Sequence, residues 1–169
     1  SLWGLSLTAG GLVNVSHTIG QKCQPDYMRL IESARTSGYI HSDETSWYVG
    51  NPKAWLWVFT TPSFTLYKVA DNRSRAVIHE ILGKDYQGVL VSDCLNIYDD
   101  VNSLQQKCYS HHLKAIAQAK EKLPRPESGE YFQSLTTLLK AAMALKKSKE
   151  VLPQEQYLLS CGNLEIKAD

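Results

Sequence analysis

The chain has 169 residues, 43% of them hydrophobic and 21% charged, with a formal net charge of +1. That is enough apolar chain for one domain with a core, and too balanced a charge for the whole molecule to act as a polyelectrolyte binder. No apolar run approaches the ~20 residues of a membrane span, and Cys23, Cys94, Cys108 and Cys161 form no C-x-x-C pair, so a zinc ribbon and a thioredoxin-like motif are excluded.

Residues 1–38 read as a mostly helical lead-in. Leu12, Val15 and Ile19 recur near the helical period, as do Met28, Ile31 and Ala34, with Gln24-Pro25 and Gly38 as punctuation. From Tyr39 the period changes to two. Residues 39–49 predict a strand with His41, Asp43, Thr45 and Trp47 on one face and Ile40, Ser42 and Glu44 on the other. "VGNP" supplies a turn. "AWLWVFTT" follows, with Trp55, Trp57 and Phe59 on one face and Leu56 and Val58 on the other, a pattern expected of a strand covered on both sides. "FTLYKV" makes a third strand of an antiparallel meander.

"DNRSRAVIHEILG" predicts a helix with the stripe Ala76, Val77, Ile81 and Leu82, a cap at Asn72 or Ser74, and Gly83 as its stop. "GVLVSD" is then a short buried strand, parallel to its neighbour because a helix connects them, ending on Asp93. A turn carrying Tyr98, Asp99 and Asp100 leads to a short strand at "QQKCY" and a helix at "SHHLKAIAQAKEKL". "PRPESG" reads as a loop, residues 131–149 as a helix striped by Leu135, Leu138, Leu139, Ala142 and Leu145, and the segment after Pro153 as a last helix. Charge follows these divisions. Residues 1–106 carry eight basic against ten acidic side chains, 107–149 nine against three, and 150–169 one against four. A basic segment on a near-neutral body suits a polyanionic partner; a solvated helical face is the plainer reading.

This order of elements is that of a ribonuclease-H-like fold. The expectation is an α/β, mixed five-stranded sheet flanked by helices, with a core over residues 39–123 and a C-terminal helical insertion over 124–169. In that topology the first and fourth strands are neighbours, so Asp43 and Asp93 can meet at one rim of the sheet although 50 positions separate them. Two converging carboxylates share a proton or hold a cation, and oxygen ligands suit Mg²⁺ or Mn²⁺. The structural alternative is an Asp93 that caps a turn and an Asp43 paired with an arginine.

Three segments, "IHSDETSWYVGNPKAWLWVFTTP", "NRSRAVIHEILGKDYQGVLVSDCLNIYD" and "QQKCYSHHLK", resemble the DDE transposases of the insertion-sequence 66 family. The matching blocks stand in the same order across about residues 39–114. The resemblance implies metal-dependent cleavage and joining of DNA strands during movement of a bacterial insertion element. It implies Asp43 and Asp93 as catalytic acids binding Mg²⁺ or Mn²⁺, and Arg73, His111 and Lys114 as candidate contacts to DNA or the site. It also implies DNA (element ends and target) as partner, self-association, no membrane, and a cytoplasmic location, which the sparse cysteines also favour. Lys114 stands where the family has an arginine and lacks the bidentate fork.

The family's third acid, a glutamate in an "N-N-x-x-E" type of segment, has no counterpart before Asp169; Glu165 in "GNLEIKAD" is the nearest imitation. With Ser1 as its first residue, the chain is expected to be the central portion of a catalytic domain. A non-catalytic DNA-binding or assembly module is the competing reading. A two-carboxylate glycosidase is a remote third, with Trp47, Trp55 and Trp57 as its cleft aromatics.

Overall fold

In the computed structural model, which describes Gly4 and residues 8–48, 53–122 and 126–166, the chain divides into two compact units, 1–106 and 107–169. The first contains helix α1 (Ala9–Thr36), strands β1 (Tyr39–Tyr48), β2 (Lys53–Thr60) and β3 (Thr65–Ala70), helix α2 (Arg75–Leu82), strand β4 (Val89–Ser92), a 3-10 helix at Asn96–Asp100, and strand β5 (Leu104–Lys107), whose last residue opens the second unit. The second contains helices α3 (Tyr109–Lys122), α4 (Pro126–Lys147) and α5 (Gln154–Glu165). The expected "VGNP" turn lies outside the described residues.

The five strands form one mixed sheet in the order β3-β2-β1-β4-β5. Short connections make β1–β2 and β2–β3 antiparallel, whereas the crossover through α2 returns β4 parallel to β1, as a helical connection requires. Two glycines make that crossover fit. Gly83 ends α2 at φ 81°, a left-handed backbone that a β-carbon disfavours, and its N–H donates to the His79 carbonyl at 2.9 Å. Gly88 enters β4 so close to the end of α1 that a methyl there would lie 2.5 Å from the Ser37 carbonyl oxygen and against the Tyr86 hydroxyl.

One face of the sheet is the core. Ile40, Trp57, Phe59, Leu66 and Leu90 meet Ile31 and Ala34 of α1 and Val77, Ile78, Ile81 and Leu82 of α2. The α2 stripe thus includes Ile78, while Ala76 is exposed. Arg35 ties the two helices, donating to the carbonyls of Ile81 (3.0 Å) and Glu80 (2.8 Å), the last turn that a helix leaves unsatisfied. On the opposite face of β2, Leu56 and Val58 are only half-buried, so the expected two-sided covering holds for one face.

Three boundaries differ from expectation. Helix α1 runs through Pro25 instead of breaking there. Proline removes one hydrogen bond, but Gln21, four residues earlier, is exposed and its carbonyl can bond water, while Tyr27, Leu30, Ile31 and Ala34 anchor the next two turns on the core. Helix α4 begins at Pro126, inside the segment expected to be a loop, because proline's fixed φ suits the first helical turn. Strand β5 ends at Lys107 and not at Tyr109, since the Cys108 carbonyl already accepts the His112 N–H at 3.1 Å to start α3. In the second unit α3 packs with α4 and α4 with α5; Leu135, Leu138, Leu139, Ala142 and Leu145 are half-buried along the expected stripe.

Candidate active site

The β1–β4 ladder pairs Tyr39 with Val89, Ile40 with Leu90 and His41 with Val91. Two residues beyond the last pair stand Asp43 on β1 and Asp93 just past β4. Strand alternation gives Asp43 the parity of His41 and therefore the face of the sheet away from the core, while Asp93 follows directly on the end of β4. Asp43 is exposed and Asp93 half-buried. Each is oriented by a nearby backbone N–H: Glu44 donates to Asp43 Oδ1 at 2.9 Å, and Leu95 donates to Asp93 Oδ1 at 2.9 Å. The second bond makes Asp93 a turn former where the chain leaves the sheet, a role that leaves its carboxylate a hard oxygen donor.

The acid that the sheet buries is Glu44. Its side chain is 0% exposed, on the core face between Trp57 and the 3-10 helix. A buried carboxylate requires partners, and Glu44 has two. Arg73, from the loop before α2, donates through Nε at 2.7 Å and through Nη2 to Oε1, with its guanidinium 5.0 Å over the Trp55 ring. Tyr98 donates its hydroxyl to Oε2. Tyr98 is itself fully buried, edge-on to Trp57 at 6.3 Å, with its carbonyl accepting from Gln105 Nε2 at 2.9 Å. Burial pushes the Tyr98 hydroxyl well above its ordinary pKa, reinforced by the bond to Glu44 and then by the charges of Glu44 and Asp93, against the opposing hydrogen bond from the Ser42 hydroxyl. Tyr98 is a neutral donor.

Arg73 therefore engages an acid of the protein. The sequence places Glu44 on a face with Ile40 and Ser42 and Tyr98 in a turn, and nothing in it pairs the two. The usable signal was the parity of Glu44, which sets a carboxylate beside Trp57 on the covered face and so demands a cation and a donor. Trp57 is buried in the core and Trp55 half-buried beneath Arg73 and Lys53, as core-covering residues.

In the second unit Cys108 stands at the start of α3. Its burial raises the thiol's pKa, but the His111 and Ser110 N–H groups and the His111 imidazole outweigh that and hold it below the ordinary value. His111 and Lys114 are both exposed on α3. Among the described residues no three His, Cys, Asp or Glu side chains gather as a metal-holding group, and no described helix is long and apolar enough to cross a membrane.

A family model described as "Transposase IS66 family" matches residues 1–160. Neither the search of curated proteins nor that of solved structures returned a match.

Proposed function

The chain belongs to the IS66 family of transposases, and from that premise we propose that it carries part of a ribonuclease-H-like centre for metal-dependent DNA strand cleavage and transfer. The observation that carries this reading is the β1–β4 register, which supports Asp43 and Asp93 as neighbouring carboxylates at one rim of the sheet. The strand order β3-β2-β1-β4-β5 supports the fold assignment.

The donor set fits Mg²⁺ or Mn²⁺. Both side chains offer hard oxygens, and Mg²⁺ commonly takes one or two carboxylates and fills its remaining positions with water and phosphate oxygens. Asp43 and Asp93 would hold the ion. When bound, it supplies charge neutralisation at a phosphodiester and a more acidic water. The protein's own contribution is orientation: the Glu44 and Leu95 N–H groups aim the two carboxylates. The exposed Lys114, Lys140, Lys146 and Lys147 of the second unit offer charge for the DNA backbone. Water and then a DNA 3′-hydroxyl serve as nucleophiles in this reading.

The test is nicking of supercoiled plasmid with Mg²⁺ or Mn²⁺. Asp43→Asn and Asp93→Asn should each abolish nicking while DNA binding persists. The exposed lysines of the second unit favour a second reading, a non-catalytic DNA-binding or assembly module. DNA binding without nicking in the unaltered chain, unchanged by both substitutions, selects that module.

A further inference from the structure

We propose that Tyr98 is a positioning residue that braces Asp43 against Asp93 through Glu44. The inference rests on the metal-site reading above and extends it to the opposite side of the sheet. Asp43 on β1 and Asp93 just past β4 both lie beyond the last paired residues of the β1–β4 ladder, so the ladder alone does not hold them at a fixed spacing. A chain of bonds does. Asp43 Oδ1 accepts the Glu44 N–H at 2.9 Å. The Glu44 side chain passes to the core face and accepts the Tyr98 hydroxyl. The Tyr98 N–H donates to the Leu95 carbonyl at 3.2 Å, and the Leu95 N–H donates to Asp93 Oδ1 at 2.9 Å. The path runs from one carboxylate through the sheet to the other, and its central link is one phenol.

Burial stiffens that link. Glu44 is fully buried in its side chain, Tyr98 is 0% exposed, and Arg73 fixes the other carboxylate oxygen of Glu44. Arg75 adds a second tie between α2 and the 3-10 helix, donating to Asp100 Oδ1 at 2.9 Å. An outer partner of this kind sets ligand orientation and thereby ion affinity without touching the ion.

The experiment measures Mn²⁺ binding to the full chain by electron paramagnetic resonance titration, with no DNA and no turnover. Tyr98→Phe keeps the ring and removes the link, and should weaken Mn²⁺ binding by about ten-fold, the lower end for losing an outer-shell partner. Glu44→Leu, which removes both acceptor oxygens from the same link, should also weaken it. Tyr86→Phe is the control: it too removes a buried tyrosine hydroxyl, one that donates to the Ser37 carbonyl at 2.7 Å, and it should leave Mn²⁺ affinity unchanged. A Tyr98→Phe chain that folds and binds Mn²⁺ like the unaltered chain, beside an Asp43→Asn chain that has lost the ion, overturns the brace alone. If Tyr98→Phe does not fold, unaltered affinity in Glu44→Leu overturns it equally. Equal affinity in Asp43→Asn and the unaltered chain overturns the metal reading itself, and the brace with it.

Discussion

At the scale of single residues, the adjacent acids Asp43 and Glu44 show how one backbone step separates two kinds of chemistry. Asp43 faces outward, where a carboxylate is hydrated and available; Glu44 faces the core, where it survives only because Arg73 and Tyr98 bind it. Removing Arg73 strands that charge. Arg73→Ala should lower unfolding stability by about 3 kcal/mol in urea titration, the low end for breaking a buried pair because the arginine is 36% exposed. Replacing both partners, Glu44→Gln with Arg73→Met, should restore most of the loss, since no unpaired charge remains. The alternation of polar and apolar side chains made the opposite orientations of the two acids legible in the sequence. The partners were not, because Arg73 and Tyr98 lie 29 and 54 positions away and only the closed sheet brings them to Glu44. Cys108 offers a second residue-scale test. His111→Ala removes the imidazole that helps hold the thiol's pKa down, so the pH midpoint for alkylation of Cys108 by iodoacetamide, followed by peptide mass spectrometry, should move upward.

At the scale of elements, the strands were legible and several helix boundaries were not, for one reason. A strand announces itself by short-range alternation, and β1, β2 and β4 fall within a residue or two of their expected limits. Helix ends depend on what the end packs against. Pro25 looks like a terminator locally, yet α1 continues because its C-terminal turns are anchored on the core. The same dependence makes the entry to β4 fragile. Gly88 passes the Ser37 carbonyl and the Tyr86 ring with no room for a β-carbon, and the next residue's N–H bonds the Gly38 carbonyl at 3.0 Å. Gly88→Ala should therefore cost about 1–3 kcal/mol by overpacking in thermal or denaturant unfolding. The parallel β1–β4 register hangs on this passage, so the same substitution should also raise amide exchange at Ile40 and Leu90.

At the scale of the whole molecule, charge and burial divide the same way along the chain. Residues 1–106 carry a closed apolar core and a slight acidic excess, whereas 107–149 carry nine basic side chains against three acidic ones. Among the described residues of the second unit none is fully buried. The basic excess was legible from composition; what the fold adds is that Lys114, Lys140, Lys146 and Lys147 are exposed. If these lysines track the phosphate backbone, DNA affinity must fall with salt, with a logarithmic slope of about −0.9 for each phosphate neutralised on a duplex. Changing Lys140, Lys146 and Lys147 to Gln should then shallow that slope by about 2–3 in fluorescence anisotropy with a mixed-sequence duplex. The same variant should keep the unaltered chain's Mn²⁺ affinity, because the ion is assigned to carboxylates of the first unit. An unchanged salt slope would mean that these lysines are a solvated helical face, the plainer of the two readings that composition allowed. A changed slope with intact Mn²⁺ binding would assign DNA capture to the second unit and ion capture to the first.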